Sequence, residues 1–236
     1  MDGDGVDFSS IDIKLAALQY VILLLSLTVH EAAHAWAANR YGDPTAKALG
    51  RVSLNPLAHI DIIGTVVFPL MQIIYNIPLI GWAKPVPVNP FNLKNPRKDN
   101  LWISFAGPLS NFMLGIIFFI VAFILIRSGA LKIHFGINFA EKMIATFIAY
   151  GIIINFMLAI FNLIPVPPLD GGGILMGLLS ENAAQSFGKI APYGFIILLG
   201  ILFLGLLKYI FLPVFILLNI FIGALGIESI FSIGLT

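Results

Sequence analysis

The chain has no cysteine, which rules out disulfides and thiolate metal sites, so any metal must be held by His, Asp or Glu. Charge is also scarce: Asp, Glu, Lys and Arg make up 11% of the 236 residues, against about 25% in a soluble domain. The net charge of +1 leaves no basic surface to neutralise phosphates, which argues against a nucleic-acid partner. What fills the chain instead is apolar: 59% of residues are hydrophobic. So little polar surface cannot clothe a water-soluble globule. The composition predicts a polytopic membrane protein.

A helix crossing a bilayer needs about 20 mostly apolar residues. Segments 15–37, 101–126 and 143–165 meet that requirement. The stretch 193–226, interrupted by Lys208 and Pro213, reads as a tight pair of short helices, the favoured reading, or as one span followed by an interfacial helix. Segment 62–82 is long enough to span, but Gly64, Pro69, Pro78 and Gly81 break it. The run Ala46–Leu54 alternates in the manner of a strand and ends in the turn Asn55-Pro56, which predicts a small membrane-associated hairpin. The proline-rich, basic stretch 83–100 must lie in water or at the interface. The opening acidic residues Asp2, Asp4, Asp7 and Asp12 do not resemble the basic start of a secretory signal peptide. The expected fold is an all-α integral-membrane bundle of about five to six transmembrane helices with a small β-hairpin or re-entrant segment. The whole of 1–236 forms one membrane-embedded domain, with a catalytic core at about 15–190 and a helical hairpin at about 193–226.

Residues 30–34 read His-Glu-Ala-Ala-His. On a helix His30 and His34 lie about 40° apart on one face, one turn apart, so two imidazoles can hold one ion. Glu31 stands beside them, placed to take a proton from a bound water. Ionisable groups inside a span cost about 2.5–3.5 kcal/mol each even on the lenient scale, so two His and a Glu in five residues of an apolar helix need a shared partner. Catalytic zinc commonly uses three protein ligands and keeps a fourth position open. A third ligand is therefore wanted, and Asp170 stands out in Asn162-Leu-Ile-Pro-Val-Pro-Pro-Leu-Asp-Gly-Gly172. The plain alternative is a Pro/Gly exit loop with a solvated Asp.

Three motifs, HEAAH at 30–34, FAGPLSN at 105–111 and NLIPVPPLDGG at 162–172, make the chain resemble the site-2 protease family of intramembrane metalloproteases, in its compact prokaryotic form without PDZ or CBS domains. GRVSLNPLAHID at 50–61 and GWAKPVPVNP at 81–90 add to the likeness. The resemblance implies one zinc per chain on His30, His34 and Asp170, with Glu31 as general base. It implies that Asn162 positions the substrate or polarises its carbonyl. Asn111 reads equally as a positioning residue that braces its span against the catalytic helices and as a core asparagine satisfied by a backbone carbonyl. His59 is not among the family's usual ligands and reads as a loop or interfacial residue. The implied partners are the lipid bilayer and a membrane-protein substrate with a single transmembrane helix, in a bacterial or archaeal cell membrane. Two other classes bind metal in membranes or share such a scaffold: a divalent-metal transporter and a catalytically silent relative. The single ligand cluster argues against the first and the intact Glu31 against the second.

Charge distribution tests the topology. If 62–82 dips in and returns, Arg40, Lys47, Arg51, Lys84, Lys94, Arg97, Lys98 and Lys189 share one side, against Lys14, Arg127, Lys132 and Lys142 on the other. A full crossing would leave the two sides nearly even. Cytoplasmic loops carry the excess of Lys and Arg, so the re-entrant arrangement puts the metal site near the cytoplasmic face and the acidic N-terminus outside. An unwound substrate could then add as a neighbouring strand to the run Ala46–Leu54.

Overall fold

A computed structural model of the chain describes residues 13–75, 81–131 and 139–225. Three long helices dominate it: α1 (Ile13–Arg40), α4 (Pro96–Arg127) and α5 (Phe139–Asn162). Between α1 and α4 lie the short α2 (Thr45–Ala48) and α3 (Phe68–Tyr75). After α5 come α6 (Asp170–Leu178), α7 (Glu181–Gly188), α8 (Gly194–Phe203), α9 (Leu207–Ile210) and α10 (Leu212–Leu225). Four stretches are long and apolar enough to cross a bilayer: Lys14–Arg40, Pro96–Arg127, Phe139–Asn162 and Glu181–Phe203. The protein is all-helical among the described residues and is a membrane protein. The acidic N-terminal residues Asp2, Asp4, Asp7 and Asp12, along with Lys132, lie outside the described residues.

The three long helices pack inside out relative to a soluble bundle. On α4 the exposed face carries Leu109, Phe112, Met113, Ile116, Ile120, Phe123 and Ile124, all suited to lipid. Its buried face carries Gly107, Pro108, Asn111, Gly115 and Ala122. Small residues let helix backbones approach closely where lipid gives no hydrophobic push between them. Gly115, for example, packs against the ring of Phe156 on α5. An apolar cluster of Ala122, Ile148, Ile152, Phe156, Val214 and Leu218 then ties α4 and α5 to α10.

Segment 62–82 returns on itself. A π-helical turn (Ile62–Val67) runs into α3, and the two together extend roughly 20 Å at 1.5 Å per residue, short of a bilayer's hydrocarbon core. Trp82 N–H then donates to Gly64 O at 3.3 Å, and Lys84 N–H to His59 O at 2.9 Å. The two ends of the segment therefore lie side by side. Residues 76–80, including Pro78, are outside the described part.

The hairpin expected at Ala46–Leu54 is not found. Residues Thr45–Ala48 form a helical turn, Gly50 takes φ +70°, and the described residues contain no strand. The local reason is Asp43, whose carboxylate accepts the Thr45 N–H at 3.1 Å and starts a turn that the helix-favouring Ala-Lys-Ala sequence continues. The stretch expected to hold a helical pair, 193–226, contains α8, α9 and α10. It is broken after α8, where Gly205 takes φ +66°.

Candidate metal centre

α1 is largely apolar, and His30 and His34 are buried in it at 4% and 7% exposure, alongside the buried hydroxyl residues Ser26 and Thr28. Their rings meet edge to face, centroids 4.6 Å apart. Each is pinned from behind by α4. His34 Nδ1 donates to Ile103 O at 2.7 Å, and His30 Nδ1 donates to Asn111 Oδ1 at 2.6 Å. A backbone carbonyl is acceptor-only, so His34 must carry its proton on Nδ1. In the neutral rings, the Nε2 atoms then present bare lone pairs, and they do so 3.0 Å from each other.

The third group arrives from a different part of the chain. α5 ends at Asn162, because Pro165, Pro167 and Pro168 cannot continue a helix. The chain folds tightly over 163–169 and restarts as α6 at Asp170. Gly171 allows this turn: a Cβ there would lie 2.3 Å from Ile164 O. α6 packs along α4, with Gly173 against Ser104. The result sets Asp170 Oδ2 3.1 Å from His30 Nε2 and 3.3 Å from His34 Nε2.

These separations are not hydrogen bonds between neutral rings and a carboxylate, because neither Nε2 has a proton to give. Asp170 Oδ2 is buried with no hydrogen-bond donor. Three acceptors thus converge in a low-dielectric site, with ligand atoms all within 4.8 Å of one another. Only a cation or an added proton relieves that repulsion. Ligand atoms about 2.0–2.1 Å from a tetrahedral zinc stand roughly 3.3–3.4 Å apart, close to the triangle observed. The residues fit a zinc ion.

α4 makes room for it with a missing side chain. A Cβ on Gly107 would stand 2.3 Å from His34 Nε2 and 2.6 Å from His30 Nε2. In the sequence, Gly107 is marked only as a glycine before a proline within FAGPLSN, in the middle of an apolar helix. His30 is ten residues before Arg40, and Gly107 eleven after Pro96. By 1.5 Å per residue both lie roughly 15 Å in from the same end of the bundle.

Glu31 is half-buried beside the triad, and its Oε2 accepts the Val86 N–H at 3.1 Å. This contact comes from the irregular run 81–89, and no sequence signal could reveal it, since it involves a backbone group. That run is itself anchored. Asp43, fully buried at the end of α1, accepts the Asn89 N–H at 2.7 Å and Asn92 Nδ2–H at 2.8 Å. Burial alone would raise the Asp43 carboxyl, but hydrogen bonds from Asn92, Thr45 and Asn89 outweigh it and hold the group below its ordinary value.

The remaining residues singled out from sequence fall outside the triad. Asn162 turns back on its own helix, donating from Nδ2 to Leu158 O at 3.0 Å. Asn111 is wholly buried, behind His30 rather than at an open face. His59 is a loop residue as expected, yet it is 1% exposed and donates from Nε2 to Ser53 O at 2.9 Å. Its neighbour Ala58 accepts a hydrogen bond from Arg51 through its carbonyl, so 51–59 forms a closed buckle beneath the 81–86 run.

Comparison with known proteins places this geometry in context. The family model described as Peptidase family M50 matches residues 18–205. A Bacillus subtilis (strain 168) protein named "Putative zinc metalloprotease YwhC" is 36% identical over 201 residues, covering 84% of this chain and 87% of that protein. "Zinc metalloprotease MJ0392" of Methanocaldococcus jannaschii is 26% identical over 224 residues, covering 92% of this chain and 52% of that longer protein. No solved structure matches the chain.

Proposed function

Because this chain belongs to peptidase family M50, we propose that it is a zinc metalloprotease that hydrolyses peptide bonds in membrane-spanning segments of membrane-tethered proteins. The observation that carries the reading is the convergence of His30, His34 and Asp170, from two separate helices, beside a half-exposed Glu31.

His30, His34 and Asp170 would hold the ion. Zinc bound there would supply Lewis acidity and make the attacking water more acidic. Glu31 takes the proton from the attacking water and delivers it to the leaving amine. The Val86 N–H holds one carboxylate oxygen of Glu31 in place, leaving the other to accept that proton. Asn162 stands at the end of α5, with an amide oxygen and a second N–H free to orient substrate.

The bend at 163–169 supports hydrolysis within the membrane. Non-helical backbone at membrane depth is tolerated only where protein surrounds it or water reaches it. Water is the second substrate of the reaction, and the bend delivers Asp170 at that depth. The side-by-side ends of segment 62–82 support the re-entrant topology, which gathers the basic loops and the metal site toward the cytoplasmic face. With no strand at 46–54, the proposed strand addition to that run loses its support.

The test uses the full chain purified in detergent with a model single-span substrate. Wild type is expected to hold about one zinc and cut. Glu31→Gln should keep the zinc and lose cutting by a factor of at least about 10², the lower end of general-base contributions. Undiminished cleavage by Glu31→Gln overturns the mechanism. Zinc flux into liposomes that survives the substitution would indicate a transporter instead.

A further inference from the structure

Two asparagines in the lipid-embedded helices are completely buried, Asn111 on α4 and Asn155 on α5. Buried amides in a membrane bundle need partners, and these two form a chain that can be read in only one direction. Asn155 Nδ2 lies 2.8 Å from Gly151 O, a backbone carbonyl that can only accept. The NH₂ of Asn155 must therefore face Gly151, and its Oδ1 must face α4. That oxygen lies 2.9 Å from Asn111 Nδ2, which also lies 3.1 Å from Ser26 O on α1. Both neighbours are acceptors, so the Asn111 NH₂ must point at them. Its Oδ1 is left facing His30 Nδ1 at 2.6 Å. An oxygen there requires the His30 proton on Nδ1, and so frees Nε2 as the lone pair aimed at His34 and Asp170.

We infer that Asn155 is a positioning residue that sets the tautomer of His30 through Asn111. The two metal-facing histidines thus get the same protonation pattern by different routes. His34 takes it directly from the Ile103 carbonyl. His30 takes it from Asn111 Oδ1, whose amide is oriented by Ser26 O directly and by Gly151 O through Asn155. An amide at 111 has two ends of nearly equal size. Reversed, it would offer His30 an N–H, draw the ring proton to Nε2 and block the metal-facing lone pair. Asn155 and the Ser26 carbonyl together remove that alternative, because both present fixed acceptors to the Asn111 NH₂, Asn155 at the shorter distance. Outer-shell partners of this kind typically change metal affinity about 10- to 100-fold when lost.

This inference rests on the metal-site reading above, and the experiment separates the two. Zinc affinity is measured by chelator competition on the purified full chain. The ring N–H signals of its four histidines are followed by nitrogen-15 NMR in metal-free protein, with His30 assigned by substitution. Asn155→Leu keeps volume but removes the acceptor. It is expected to weaken zinc binding about tenfold and to shift or abolish the His30 Nδ1–H signal. Asn155→Asp keeps an acceptor toward Asn111 and is expected to retain both within about twofold. Should Asn155→Leu fail to fold, Asn155→Ala carries the same expectation without the bulk. Unchanged zinc affinity and an unchanged His30 signal in the variant that lacks the acceptor overturn the inference. Equal losses in the Leu and Asp variants overturn it too, because packing alone would then explain them. If wild type binds no zinc, the metal reading fails, while the His30 signal still decides the relay.

Discussion

Adding a single methyl group at Gly107 is the most economical test of the metal centre. A Cβ there would lie 2.3 Å from His34 Nε2 and 2.6 Å from His30 Nε2. Ordinary carbon–nitrogen contact is about 3.5 Å, so the overlap is close to 1 Å at each ring. Neither imidazole can swing aside freely, because each is held at Nδ1, one by Ile103 O and the other by Asn111 Oδ1. Forcing a methyl group into a packed core costs roughly 1–3 kcal/mol. Relief requires either parting α1 from α4 or splaying the two Nε2 atoms, and both spoil a donor triangle whose edges are 3.0, 3.1 and 3.3 Å. At about 1.4 kcal/mol per decade, Gly107→Ala should raise the zinc dissociation constant at least tenfold, with cleavage falling in parallel. The assay is chelator competition, backed by zinc content after gel filtration. Gly107→Ala protein that folds, binds one zinc and does so at wild-type affinity would refute the geometry. Gly115→Ala serves as the control. A Cβ there meets the Phe156 ring at 3.2 Å, far from the ligands, and should affect stability without affecting zinc.

Other outcomes follow from the same structure. Asp43 has a carboxyl held below its ordinary value, so its stabilising contribution is complete above the unfolded-state value of about 4 and is lost as pH falls through the lower folded value. Acidification below about pH 4 should therefore loosen the 81–92 run from the end of α1, read as faster amide exchange at Asn89. Asp43→Ala should show the looser state already at neutral pH, at a cost on the order of 2 kcal/mol. The re-entrant topology predicts that single cysteines at positions 47 and 94, in this naturally cysteine-free chain, label from the same side of the membrane. Labelling from opposite sides would mean that segment 62–82 crosses.

The parts of this protein legible in the sequence are those written in residue type and spacing. His30 and His34 are one helical turn apart whatever surrounds them, and the long apolar runs define α1, α4 and α5 without reference to contacts. Asp170 was legible by need, since a two-histidine site lacked a carboxylate and few candidates existed, and by its place in the NLIPVPPLDGG motif. The run 46–54 misled because its alternation is a period-two pattern over few residues, and the local turn that Asp43 makes with the Thr45 N–H outweighed it. Gly107 carries no side chain for a pattern to detect, and its importance lies in what must fit beside it. Asn155 was visible as a polar residue in an apolar helix, but its role depends on the orientation of an amide two links from the metal-facing nitrogen.

The break between α5 and α6 explains why the site is where it is. A continuous helix from 139 to 178 would satisfy its own backbone and could present Asp170 only on its lateral face. By stopping at Asn162 and restarting at Asp170, the chain places a carboxylate at the first position of a new helix, packed against α4 beside Gly107. The unwound residues pay with backbone groups that lack helical partners. Some are recovered locally: Val166 N–H reaches Ile164 O at 2.7 Å and Leu169 N–H reaches Val166 O at 3.0 Å. The prolines at 165, 167 and 168 have no N–H to satisfy. A segment rich in proline is thus the least costly way to interrupt a helix in lipid. If the proposed function holds, the interruption that carries Asp170 to the histidines is also where non-helical backbone would meet water and a peptide.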